Sequence, residues 1–114
     1  MTTIKESIHP GEFLLSEGAG SISREAINVA AGEALPAGQV LGLVSASGEF
    51  APYSPAAEDG SEVAVAILFA GLASSDIVRR GRAVVRLAEV SEAHLTGLDL
   101  DGEKALGKQF IIVR

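Results

Sequence analysis

The stretch Glu58-Asp59-Gly60-Ser61-Glu62-Val63-Ala64-Val65-Ala66-Ile67-Leu68-Phe69-Ala70 decides how this chain folds. Its first four residues have the composition of a tight turn, because Asp bonds its own backbone and Gly adopts conformations closed to other residues. Beyond the turn, Val63, Val65, Ile67 and Phe69 fall on one face of a strand. Ala64, Ala66, Leu68 and Ala70 fall on the other. This strand is expected at the centre of the fold. The small residues of its second face predict close packing against another layer or another subunit.

Towards the start of the chain, Gln39-Val40-Leu41-Gly42-Leu43-Val44 reads as a short apolar strand. Ser45-Ala46-Ser47-Gly48 turns it into a hairpin with Glu49-Phe50-Ala51-Pro52-Tyr53. Pro52 and Pro55 lack the N–H that a central ladder needs, which places this partner at an edge or in a loop. Residues 31–38, with two Gly and one Pro, are a turn region. Before them, Arg24-Glu25-Ala26-Ile27-Asn28-Val29 is a strand with Ile27 and Val29 on one face.

Towards the end, 71–81 reads as a connection and 82–90 as the next strand. Ser91 is expected to cap a short helix through Glu92-Ala93-His94-Leu95, and residues 101–107 allow one more helical turn. Gln109-Phe110-Ile111-Ile112-Val113 closes the series as a strand. The expected fold is a small, β-rich single domain of the α/β (α+β) class with short helices.

Residues 1–20 have a different texture. His9-Pro10-Gly11 and Ser16-Glu17-Gly18-Ala19-Gly20 are rich in breakers, yet Phe13-Leu14-Leu15 lies between them. Two readings stand: a frayed terminus, or an arm that orders on a partner, since solvated tails seldom expose such a triplet.

Composition excludes several functions. The 114 residues contain no Cys, which removes disulfides, thiol catalysis and thiolate metal sites. A net charge of −6 disfavours non-specific nucleic-acid binding and attraction to anionic membranes. Met1-Thr2-Thr3-Ile4-Lys5-Glu6-Ser7 has no apolar core of a signal peptide. The longest apolar run, 63–72, is about half of the ~20 residues a membrane helix needs. A soluble chain made in the cytoplasm is expected.

No catalytic, cofactor or metal site can be assembled. His9 and His94 are far apart in sequence, without ligand-like neighbours at helical spacing. Gly18-Ala19-Gly20 begins like a dinucleotide loop, but Ser23 stands where the third Gly is required and no strand is expected before it. Asp99, Asp101 and Glu103 begin like a calcium loop, but Lys104 stands where Gly is required and Phe110 where the bidentate acid is required. In this acidic chain Arg79-Arg80-Gly81-Arg82 stands out. It reads as an exposed loop that aids solubility, or as a salt bridge to a neighbouring subunit or to an acidic patch of a partner. Without interleaved aromatics it makes a poor nucleic-acid site.

The ordered series from Ser23 to Leu72 resembles the head decoration family typified by phage lambda. The points of resemblance are Ser23-Arg24-Glu25, Gly32 and Leu35, then Ala37-Gly38-Gln39-Val40-Leu41-Gly42. They continue with the hairpin at Gly48, the Pro-containing stretch, and Asp59-Gly60-Ser61-Glu62 leading into Ala64-Val65-Ala66-Ile67-Leu68. The last third matches loosely, and the chain lacks the Trp that lambda-like members can carry.

The resemblance implies a non-enzymatic cement protein on the outer surface of the virion capsid. Its partners would be two further copies, in a homotrimer, and the major capsid protein of the mature head. The trimer would occupy three-fold and quasi-three-fold positions and brace the shell against packaged DNA. It also implies a flexible capsid-binding arm, residues 1–20, ahead of a decoration domain, residues 21–114. Ile8, Phe13, Leu14 and Leu15 would then be apolar contacts of the arm, with Ser21 and Ser23 at its junction. Arg79, Arg80 and Arg82 would be trimer or capsid contacts. Another virion component, for head–tail joining or the tail, is the main alternative; a small ligand-binding β-domain is a more remote one.

Overall fold

The structure, a computed structural model, describes residues 9–20 and 22–114. Among these residues eight strands follow one another as β1 (Leu14–Glu17), β2 (Arg24–Val29), β3 (Val40–Leu43), β4 (Phe50–Pro52), β5 (Ala64–Leu68), β6 (Arg79–Val84), β7 (Ala88–Val90) and β8 (Ile111–Val113). A 3₁₀ turn (Glu92–His94) and one helix, α1 (Leu100–Gly107), lie between β7 and β8. The strands form a closed barrel in the order β2-β4-β3-β5-β6 and a separate three-stranded sheet in the order β1-β7-β8.

The barrel closes unevenly. β2 and β6 pair antiparallel over six positions, from Arg24↔Val84 to Val29↔Arg79. β2 and β4 meet in parallel through the single pair Val29↔Phe50. Pro52 lies opposite Leu41 of β3, beyond the reach of that pair, so its missing N–H disrupts no second ladder. The turn before β5 is built by Asp59, whose carboxylate accepts from the Ser61 amide at 3.0 Å and the Ser61 hydroxyl at 2.6 Å.

Apolar side chains on both faces of the barrel wall create two cores. Inside the barrel lie Ile27, Val29, Leu41, Ala66, Leu68, Ala83 and Val85. Val40, Ile67 and Val84 point the other way, into a second core with Phe13, Tyr53, Ala88, Val90, Leu106 and Ile111. The three-stranded sheet and α1 therefore serve as the lid of the barrel's apolar outer wall. Strict alternation along β5 does not hold, because Ala64 joins Ile67 in the outer core while Ala66 joins Leu68 inside. A register shift against β3 between Leu41 and Gly42 supplies the extra residue that reverses the faces. Gly42 is required there, since a Cβ would stand 2.5 Å from Ser61 Cα.

Three further expectations are corrected. Residues 79–82 belong to β6 rather than to a connecting loop. Gly81 reads as a breaker, but it faces the barrel interior, where a Cβ would meet Leu72 at 3.2 Å. The single strand expected over 82–90 is instead two strands in two different sheets. The chain leaves the barrel between them and crosses through Leu87 at φ +52°, a break no Gly or Pro announces. The Ser91 hydroxyl does not cap the following turn; it lies 3.2 Å from His94 Nδ1.

Asp99 is the true helix cap. Its carboxylate accepts from the Gly102 amide at 2.7 Å and from the Tyr53 hydroxyl at 2.7 Å, tying α1 to the end of β4. The Tyr53 bond, then the Gly102 amide, hold its carboxyl below the usual carboxylate range. Burial, reinforced by Asp99, pushes the Tyr53 hydroxyl up to about 12.

Because folding lowers the Asp99 pKa, its stabilisation is present above the unfolded value of about 4 and fades as pH falls through the folded one. Because folding raises the Tyr53 pKa, its share is complete below about 10 and is lost as pH rises through about 12. Thermal unfolding followed against pH is expected to show both declines. Asp99→Asn should reduce the acid decline. Tyr53→Phe should remove the alkaline one and lower neutral-pH stability by about 1 kcal/mol.

Candidate functional site

Among the described residues, no three His, Cys, Asp or Glu side chains are grouped to hold a metal ion. No helix among them is long and apolar enough to cross a membrane. The features that set this molecule apart lie where the chain enters the fold, along β1.

That segment is held from both sides. The Gly11 amide donates to the Phe69 carbonyl at 3.0 Å, and Gly11, at φ +68°, sits where a Cβ would press on the Phe69 ring. Phe13 is fully buried in the outer core, and its carbonyl accepts from the Ser91 amide at 2.8 Å. β1 then pairs antiparallel with β7, with a bulge between Leu14 and Ser16. At its far end Glu17 receives both Arg24 Nη2, at 2.6 Å, and Nε, at 3.1 Å. It also receives the hydroxyl of the buried Ser23. The Arg24 guanidinium, followed by the Ser23 hydroxyl, holds the Glu17 carboxyl below its ordinary range. The same guanidinium stacks 4.1 Å from the centre of the Phe69 ring. A groove of about 360 Å³ runs beside β1 from Pro10 and Gly11 to Glu17 and Arg24.

The residues singled out from the sequence are thus distributed as follows. Ile8 and Ser21 lie outside the described residues. Of the segment 1–20, residues 9–20 are described, and Leu14–Glu17 within it form β1. Phe13 is a core residue and Leu14 packs against that core, whereas Leu15 is more than half exposed. Ser23 sits where β2 begins, bonded to Glu17.

The arginines divide by strand alternation. Arg79 donates to the carbonyls of Ala30 (2.7 and 3.2 Å), Glu33 (2.7 Å) and Ala73 (3.0 Å), so its guanidinium knits loops within the chain. Arg80 donates to Asn28 Oδ1 at 3.1 Å across the β2–β6 ladder. Arg82 is exposed opposite Ala26 on the same outer wall.

Sequence reasoning missed the outer face of the three-stranded sheet. Its centre is Glu89, which accepts from Ser16 Oγ at 2.7 Å and from Arg114 Nε at 2.7 Å. These two partners, Ser16 first, hold the Glu89 carboxyl below its usual range. Alongside lie Leu87, Phe110 and Ile112, all exposed. The sequence does carry a signal for this face: in the closing strand, Phe110 and Ile112 alternate with Ile111, and only Ile111 is buried.

The placement of Phe13 has a measurable consequence. Phe13→Ala is expected to lower the unfolding free energy of the isolated protein by about 3–5 kcal/mol. Leu15→Ala should change it by no more than about 0.5 kcal/mol. Denaturant titration of both variants checks this; equal, negligible effects would place Phe13 outside the folded core.

A search of the curated proteins found no match. The family described as "Bacteriophage lambda head decoration protein D" matches residues 3–110, nearly the whole chain. With a β-rich domain, its entering segment anchored at Phe13, and a match of that extent, the chain belongs to the lambda head decoration protein family.

Proposed function

We propose that this protein is a cement protein that binds the outside of the expanded phage head as a homotrimer and stabilises the shell against packaged DNA. The family match across residues 3–110 carries this reading. Proteins of a head decoration family are structural and non-enzymatic, and their place is the virion capsid. The proposal adds the three-fold and quasi-three-fold sites, the major capsid protein as partner, and no role for nucleic acid or membrane.

In this account the stretch that precedes Phe13, with Ile8, is the capsid-binding arm. Phe13 serves it from within the domain, as the anchor at which the arm meets the fold, and the exposed Leu15 lies beside the root. An extended segment that joins a sheet edge gains main-chain hydrogen bonds, while alternate side chains supply specificity. Ordering it has an entropic cost, so a single arm binds weakly. Three arms on one trimer make the later contacts intramolecular, and avidity can exceed single-site affinity by ~10²–10⁴. Arg82, on the exposed barrel wall, is the arginine best placed to reach a neighbouring subunit or shell.

Co-sedimentation with expanded, undecorated heads tests the proposal. The intact chain is expected to saturate the shell at three copies per three-fold site. A chain beginning at His9 should keep its thermal stability and pellet poorly. Failure of the intact chain to pellet would contradict the decoration role; equal binding by the shortened chain would contradict the arm.

A further inference from the structure

The sequence contains two Asp–Gly pairs, Asp59-Gly60 and Asp101-Gly102. Such a pair rearranges more readily than others, because Gly has no side chain to shield its amide nitrogen. The nitrogen attacks Cγ of the protonated Asp carboxyl. An N–Cγ bond forms, a Cγ–O bond breaks, and the oxygen leaves as water with the amide and carboxyl protons. A second water then opens the imide ring. Attack at Cγ restores Asp, whereas attack at the backbone carbonyl routes the main chain through the side chain as isoaspartate.

The fold cannot dispense with the pair at 59–60. Gly60 has φ +109°, and a Cβ there would collide with the Leu43 carbonyl and stand 2.5 Å from Ser45 Oγ. The Asp59 carboxylate builds the turn by accepting the amide and the hydroxyl of Ser61, which is buried. The Asp59 carbonyl accepts from the Ser45 amide at 2.8 Å, which ties the turn to the chain beyond β3.

The same turn withholds both reactants. The nucleophile is occupied: the Gly60 amide donates to Glu62 Oε2 at 2.7 Å. The electrophile is kept scarce, since only the protonated carboxyl closes the ring. The Ser61 hydroxyl, followed by the Ser61 amide, holds the Asp59 carboxyl below its usual range. The second pair is guarded in a similar way. Asp101 and Gly102 lie in the first turn of α1, and the Gly102 amide donates to Asp99 Oδ1 at 2.7 Å. At both pairs, then, the Gly amide is bonded to the carboxylate of a third residue.

We infer that Asp59–Gly60 is an isomerisation site that the fold requires and that its own turn keeps closed, with Ser61 and Glu62 as the guarding residues. Isoaspartate at 59 would add a carbon to the main chain and withdraw the carboxylate from Ser61. The damage would fall on the turn that leads into β5, where Ser61 packs against Gly42. This reading does not depend on the decoration role.

Ageing of the full-length protein tests it, at neutral pH and below the melting temperature. Isoaspartate at 59 and at 101 is read by methyltransferase labelling of the separated peptides. Wild-type protein in urea should form it readily at both positions, and folded wild type slowly at both. Ser61→Ala removes the hydroxyl donor, and Glu62→Ala removes the acceptor of the Gly60 amide from a half-exposed position. Either variant, while folded, is expected to form isoaspartate at 59 about fivefold faster or more, the factor that one lost hydrogen bond carries. The rate at 101 should stay at the folded wild-type level, which separates loosening of the turn from general unfolding. Folded wild type reacting at 59 as fast as the urea sample would overturn the inference. So would wild-type rates in both variants, or a rise at 59 matched by an equal rise at 101.

Discussion

The structure depends on one constraint: the barrel wall is apolar on its outside as well as its inside. Val40, Ile67 and Val84 face away from the barrel interior and are fully buried. Each such side chain left in water would forfeit about 1.5–3 kcal/mol. A domain of this size cannot leave that wall bare, so it needs a cover. Phe13 from the beginning of the described chain, Val90 from its middle and Leu106 and Ile111 from its end supply one. The remaining polar joints follow from holding this cover in place. Glu17 bonds Arg24 and Ser23, Glu89 bonds Ser16 and Arg114, and Asp99 bonds Tyr53.

The same constraint explains what could be read beforehand. A strand apolar on both faces announces burial on both, and the segment around Ala64–Leu68 has that role. The small residues of its second face were expected to meet another layer or subunit; instead Ala66 and Leu68 line the barrel interior, and the covering layer lies on the face of Ile67. The details hidden from the pattern are those in which backbone geometry overrides alternation. The bulge at Gly42 reverses the faces of β5, and an inward Gly81 disguises a strand as a loop. β1 is only four residues long and is itself bulged, so no period betrays it. Leu87 turns the chain between two sheets in a conformation that composition gives no reason to expect.

The surface was harder to read than the core for a related reason. Arg79, Arg80 and Arg82 form one cluster in sequence, but strand geometry and loop contacts separate their roles. Only Arg82 carries its charge outward with no side-chain partner among the described residues, while Arg79 closes loops from within. Leu87, Phe110 and Ile112 are dispersed along the chain and meet because β7 and β8 pair in parallel. A surface of this kind is assembled by topology rather than by a local motif.

In this account the covering sheet exists before any shell is met, so the root of the arm and the apolar face are presented together as a preformed surface. Hydrogen exchange in the free protein tests this most directly, at three amides that tie the sheet together. Gly18 donates to the Leu87 carbonyl at 2.8 Å, Ser91 to Phe13 at 2.8 Å and Arg114 to Val90 at 2.9 Å. The account predicts slow exchange at all three without heads, and little change there when heads are added. Exchange at unstructured rates until heads are added would contradict it, and would show that the first strand docks only on the capsid.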